Sequence, residues 1–250
     1  MKKFISVFVL LISLISFRAI SQEYYEIRTY YMKFGGRMGV LENYLSKALI
    51  PALNKQGVSK VGVFKDLGKP EPGVLVVVIP FKDLSAYIGY KDKLASDADY
   101  NNLSKPYFET VGNDKPLFER VSTYFGKAFD GFKSFQLPVT SAGRIYEWRT
   151  YEAYNEDALK RKIQMFNEEE LKIFDHVGLH NVMFAEILAG ENTPCLSYFI
   201  SFESMKERDE NWAKFSADPD WKRIVVDPRF TNSHSRTVRR FLEPTAYSQW

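Results

Sequence analysis

The 250-residue sequence predicts an α+β fold: two tandem ferredoxin-like βαββαβ units, packed sheet face to sheet face as one intramolecular α/β barrel. Three observations predict it. A motif recurs at a fixed spacing, the same order of strand and helix patterns fills both halves, and each half alone would leave one sheet face bare. A four-stranded sheet with both helices on one side must cover its other side, and two such units in one chain cover each other.

Residues 25–30 read YEIRTY and residues 146–151 read YEWRTY, a spacing of 121 that continues without a gap. Thirteen of the 74 positions from 26 to 99 are identical at that spacing. Ordinary composition gives roughly four or five by chance. The identities include Glu26/Glu147, Arg28/Arg149, Thr29/Thr150, Tyr30/Tyr151, Gly57/Gly178, Leu75/Leu196 and Asp97/Asp218. The halves are bounded at 23–130 and 144–250, and residues 131–143, with Gly131, Pro138 and Ser141 as breakers, form the linker.

In the first half, Glu23 to Met32 is rich in Tyr, Ile and Thr and reads as a strand, stopped by Gly35-Gly36. Leu41, Leu45, Leu49 and Leu53 recur every four residues, the stripe of an amphipathic helix that Pro51 is expected to kink. Gly57 supplies the left-handed residue that a helix C-terminus needs. Val58 to Leu67 alternates as a strand, Gly68 to Gly73 turns the chain, and the apolar run Val74 to Ile79 reads as a buried strand. Leu84 to Ala98 is the second helix, 101–111 a short extra one, and Leu117 to Phe125 the returning strand. The second half repeats this with strand Arg144 to Tyr154, helix Asp157 to Asp175, strands Leu179 to Leu188 and Leu196 to Phe202, helix Ser204 to Ala217 and strand Arg236 to Leu242.

Composition narrows the function classes. With 45% apolar and 26% charged residues the chain is globular in type, which excludes fibres and disorder. Lys2 and Lys3 precede an apolar run, Phe4 to Phe17, that is too short to span a bilayer; Ala19-Ile20-Ser21 follows with small residues. Residues 1–21 therefore read as a signal peptide, and the product is expected to be exported, periplasmic or extracellular, and not membrane-bound after cleavage. No cysteine follows the run closely enough to carry a lipid anchor. Without Lys2, Lys3 and Arg18, 31 basic residues face 31 acidic ones, so there is no electrostatic footprint for nucleic acid. The lone Cys195 excludes an internal disulfide framework and a thiolate metal cluster, and reads as a small apolar filler.

Alternate residues of a strand share a face. Glu26, Arg28 and Tyr30 therefore line one side of the first strand, and Glu147, Arg149 and Tyr151 one side of its counterpart. The other rows, with Tyr25 and Ile27 or Tyr146 and Trp148, are more apolar and suit packing under helices. The polar rows are then expected to point into the barrel. Six hydrogen-bonding side chains there must pair with each other or meet a ligand. Either Glu and Arg pair and fix the halves, or Arg28 and Arg149 grip a carboxylate.

Other constellations are weaker. His176 and His180 are four apart, but Gly178 between them is expected to end the helix, so the spacing loses its meaning and no metal is expected. His176 suits a helix C-terminus. There is no G-x-S-x-G elbow, G-x-G-x-x-G turn or phosphate loop, and no cofactor is expected. Trp212, Phe215 and Trp221 read as packing residues.

The paired E-x-R-T-Y strands, the glycine after each first helix, the stretches Asp97-Ala98-Asp99-Tyr100 and Asp218-Pro219-Asp220-Trp221, and the tail Glu243-Pro244-Thr245-Ala246-Tyr247-Ser248 resemble the NIPSNAP family, more clearly in the second half. The resemblance implies a dimeric α+β-barrel fold without implying a chemistry. The wider superfamily looks similar in fold and includes cofactor-free monooxygenases and haem-handling proteins; the latter suggest His234 as a lone haem ligand, against which its counterpart at the same spacing is Asn113. Three functions stay open: binding of a small anionic or aromatic molecule between the sheets, a cofactor-independent monooxygenase, and a non-catalytic protein-interaction module. Homo-oligomerisation through remaining sheet edges also stays open.

Overall fold

The computed structural model describes residues 21–110 and 116–250. The expected signal peptide, Ser21 apart, and Asn113 lie outside them.

Eight strands close into one barrel in the order β1-β3-β2-β8-β5-β7-β6-β4, every pairing antiparallel. The first half supplies β1 (Tyr24–Tyr31), β2 (Gly62–Asp66), β3 (Val74–Phe81) and β4 (Arg120–Ala128). The second supplies β5 (Ile145–Glu152), β6 (His180–Ala189), β7 (Cys195–Phe202) and β8 (Arg236–Pro244). Each half is a four-stranded sheet, and the halves join reciprocally, β2 to β8 and β6 to β4. Closure leaves no unpaired edge strand among the described residues, so the expected route to oligomers through sheet edges is gone.

The registers agree across the halves. Tyr24 faces Phe81 in the first and Ile145 faces Phe202 in the second, the spacing of 121 on both strands. On the last strands the spacing is five shorter, because Tyr25 faces Gly126 whereas Tyr146 faces Leu242. The junctions match on that basis: Phe64 faces Pro244 in one and Ala185 faces Ala128 in the other. The counterpart of His234 is therefore Phe118, not Asn113, and the sequence-based alignment slips in the segment before β4.

The helices lie outside the barrel. The first, α1, is built from α-helical Met38–Asn43, π-helical Tyr44–Leu49 and α-helical Ile50–Lys55. Then come α2 (Leu84–Ser96), α3 (Ala98–Leu103) and α4 (Lys105–Phe108). In the second half, α5 comprises Glu156–Met165, π-helical Phe166–Glu170 and Leu171–Val177, followed by α6 (Met205–Ala217) and α7 (Pro219–Ile224). The π-helical stretch occurs at the same place in both halves, and only the first has a proline beside it. Pro51 is thus not its cause. Caps recur too: Asp83 and Ser204 accept from the backbone N–H three residues on, as do Asp97 and Asp218 at the next helix. Gly178 ends α5 at φ 82°, and His180 already belongs to β6. The stretch Val58 to Val61 stays outside β2, which starts at Gly62.

Three apolar cores result. One lies between each sheet and its helices, and the third, with Tyr25, Ile27, Phe64, Tyr146, Phe199 and Trp250, fills the barrel. Phe135 of the linker stacks on Trp250 with ring centroids 5.2 Å apart, so the linker and Trp250 close one barrel end together.

Candidate functional site

The E-x-R-Y rows face the opposite way from the sequence expectation. Glu26, Arg28 and Tyr30 lie under the helices. Arg28 Nε donates to Glu26 Oε1 (2.5 Å) and its Nη2 to the hydroxyl of Tyr90 on α2 (2.7 Å), which in turn donates to Glu26 Oε2 (2.9 Å). In the second half Glu147, wholly buried, accepts from Arg149 Nε (2.6 Å), from Arg208 Nε and Nη2 (2.8 and 3.1 Å) and from Trp212 Nε1 (2.9 Å). Burial raises the affinity of Glu147 for a proton, but Arg208 and Arg149 outweigh it and hold the carboxyl below its ordinary range. Arg149 also lies 3.7 Å from the centre of the Trp212 ring and donates to the Tyr151 hydroxyl at 3.3 Å.

The physical reason for the inversion is partner supply. A guanidinium cannot shed its charge. The helices bring Tyr90, Arg208 and Trp212 to the polar rows, whereas the barrel interior offers only the facing strands. The apolar rows therefore fill the more enclosed compartment. Glu26, Arg28, Glu147 and Arg149 meet each other and their helix partners, which is the pairing alternative and not an open ligand grip.

Tyr151 is the centre of a second arrangement. It accepts a hydrogen bond from Tyr198 at 2.8 Å, and the His234 ring stacks on its ring. Close by, Lys162 and Glu170 form a buried ion pair at 2.6 Å, with Lys162 Nζ 4.7 Å from the centre of the Phe166 ring. Burial pushes the Glu170 carboxyl up against the pull of Lys162. His176 and His180 are not brought together; His176 bonds Asp218 and His180 bonds Glu207. Cys195 is buried at the start of β7, and burial pushes its thiol up to about 12.

One open space lies at the other barrel end, on the inward rows of β1, β4, β5 and β8. A cavity of about 180 Å³ is lined by Thr29 and Tyr31, by Thr150 and Glu152 at the equivalent positions, and by Trp148, Tyr124, Arg236 and Arg240. Trp148 forms the floor, fixed by its Nε1 donation to Ser197 Oγ (2.6 Å) and by stacking on Phe199. Tyr124 forms a wall, which Gly190 makes possible: a Cβ there would fall 2.3 Å from the tyrosine ring. Arg240 Nη1 donates to Asp66 at 2.6 Å, while no protein hydrogen bond is made by its Nε and Nη2 among the described residues.

Thr29 and Thr150 belong to the recognised motif, one residue after the arginine. Parity along the strand would have pointed to them had the apolar rows been placed inside the barrel. Tyr124, Arg236 and Arg240 come from β4 and β8, where the slipped spacing hid the correspondence of Tyr124 with Arg240.

The sequence model of the NIPSNAP family matches residues 146–249. No curated protein matches the chain. Among solved structures, the chain is similar to a candidate monooxygenase from Fusobacterium nucleatum subsp. nucleatum ATCC 25586, with 8% identity over 90% of this chain and 94% of that one and a TM-score of 0.57. A candidate monooxygenase from Lactobacillus acidophilus NCFM is similar at 9% identity over the same shares, with a TM-score of 0.58. An anthrone oxidase-like protein follows at 6% identity over 90% and 92%, with a TM-score of 0.53. At such identities the likeness is one of fold. The fold is the dimeric α+β barrel with both halves on one polypeptide, and the second half is similar to the NIPSNAP family over residues 146–249.

Proposed function

We propose that the protein is exported and binds a small anionic ring compound in the open barrel mouth, its acid group on Arg240 and its ring against Trp148 and Tyr124. The observation that carries this reading is the unused Nε/Nη2 edge of Arg240 beside an aromatic floor in a cavity of about 180 Å³. A guanidinium edge takes a carboxylate through two parallel hydrogen bonds. A space of that size suits one ring, since ligand sites for larger molecules start near roughly 300 Å³. The site residues predicted from sequence support the reading from a distance: Glu26, Arg28, Tyr30, Glu147, Arg149 and Tyr151 fix the helices on the sheets that shape the mouth. The likeness to candidate monooxygenases is a likeness of fold and assigns no reaction.

Titration calorimetry with benzoate and hexanoate tests it. Saturable binding of benzoate is expected, weaker binding of hexanoate, and loss of both in Arg240→Met. Arg28→Met, if folded, keeps the binding. The absence of benzoate binding, or unchanged binding by Arg240→Met, overturns the proposal. For export, the intact mass of material recovered outside the cytoplasm is expected to lack residues 1–21; a mass that retains them overturns that part.

A further inference from the structure

Glu152 stands at the rim of the mouth, on the inward row of β5. Its Oε1 is closed to solvent and ion-paired with Arg236 Nη1 at 3.6 Å, too long for a hydrogen bond, while its Oε2 is open and accepts no hydrogen bond among the described residues. A carboxylate with neither oxygen hydrogen-bonded by the protein is short of donors, which a molecule in the mouth can supply. At the equivalent place in the first half stands Tyr31, and the guanidinium of Arg120 lies 4.0 Å from the centre of its ring. The first half thus has a satisfied, aromatic lip where the second has an acceptor in want of a donor.

Resting on the binding reading above, we infer that the ligand also carries a neutral hydrogen-bond donor, a hydroxyl on the ring, that it gives to the open oxygen of Glu152, Oε2: the mouth takes a hydroxyaryl carboxylate. Three features select this class. The mouth has two ends of opposite chemistry, because Trp148 pairs with Arg240 on one rung and Glu152 with Arg236 on another. Four residues of strand separate them, about 13 Å of backbone at about 3.3 Å per residue. Both residues line the cavity, so a ring with substituents at opposite positions is the shape that reaches from one to the other. Finally, Arg236 beside Glu152 already supplies positive charge at the rim, so a neutral hydroxyl fits there better than an ammonium.

The test compares four acids by calorimetry: benzoate, 4-hydroxybenzoate, 3-hydroxybenzoate and 4-methoxybenzoate, the last an acceptor without a donor. A hydrogen bond to a charged acceptor is worth about ten- to a hundredfold in affinity. The natural protein is expected to bind 4-hydroxybenzoate tighter than benzoate and 4-methoxybenzoate by that factor. Glu152→Leu, which removes the carboxylate, is expected to bind 4-hydroxybenzoate and benzoate alike. Glu152→Gln keeps an acceptor oxygen and is expected to keep part of the preference, which guards against misreading a damaged fold. Benzoate bound with no gain from the hydroxyl, or a gain that survives in Glu152→Leu, overturns this inference and leaves the binding site standing. If none of the four acids binds, the site itself falls and the inference with it.

Discussion

Lys162 and Glu170 meet at 2.6 Å on the inner face of α5, both almost wholly buried, whereas Leu41 and Leu49 occupy the equivalent positions on α1. The first half shows that this layer packs without charge. Removing one partner of a buried pair leaves the other unpaired and typically loses about 3–5 kcal/mol, whereas an apolar pair of similar volume is often neutral or stabilising. Lys162→Leu alone is therefore expected to lose about that much, and Lys162→Leu with Glu170→Leu to lose little or gain. Urea denaturation of the single and double variants measures it. A double variant as unstable as the single one would show that Phe166 and Trp221 need the ammonium in place.

His234 sits on Tyr151 at 5.2 Å, and Phe118 on Tyr30 at the same centroid distance. Packing against Tyr151 shields one face of the otherwise exposed His234 imidazole and, with Lys162 nearby, holds it below its ordinary value of 6.5. Below about that pH the unfolded chain takes up the proton before the folded one does. The histidine's contribution to stability is thus complete above 6.5 and declines as pH falls from there toward the folded value. His234→Phe is expected to melt higher than the natural protein at pH 5 relative to their difference at pH 8. A difference in melting temperature independent of pH would contradict this.

Glu147 and Arg149 differ in what each removal leaves behind. Arg149→Met leaves Glu147 with Arg208 and Trp212, and a loss of about 2–3 kcal/mol is expected, that of a charged hydrogen bond. Glu147→Met leaves two arginines facing each other in a buried layer, and a larger loss of about 3–5 kcal/mol is expected. Equal losses, measured by guanidinium-induced unfolding, would mean that solvent reaches the pair.

Gly62 is the close-approach point of the closed barrel end. A Cβ there would lie 2.7 Å from the Phe64 ring and 2.8 Å from the Trp250 ring. Gly62→Ala is expected to displace Trp250 and to lose about 1–3 kcal/mol, the usual range for overpacking. Near-ultraviolet circular dichroism reports the indole; an unchanged spectrum with unchanged stability would rule the contact out.

Much of the fold was legible. The spacing of 121 located β1, β3, β5 and β7 and their helices, because the leucine stripe, the glycine caps and the apolar runs are local patterns. The polar face was misplaced because local patterns carry no information on which compartment is drier. Whether Arg149 meets a helix or a cavity depends on Arg208 and Trp212, some sixty residues away and unmarked in sequence. The mouth was illegible for a related reason. Its asymmetry appears only when Tyr124 is set against Arg240, and that correspondence depends on strand register, which the shortened spacing before β8 conceals.

One polypeptide spelling both halves has a consequence for recognition. In a barrel assembled from identical chains, each wall residue appears twice, related by the axis, so a bound molecule meets the same surroundings after a half turn. Here the two arcs of the wall are encoded separately: Tyr31 opposes Glu152, and Tyr124 opposes Arg240. The axis survives in the backbone and is broken in the side chains. A molecule that lacks symmetry can then be told head from tail, at one occupancy per barrel, and each arc can be altered by mutation without altering its twin.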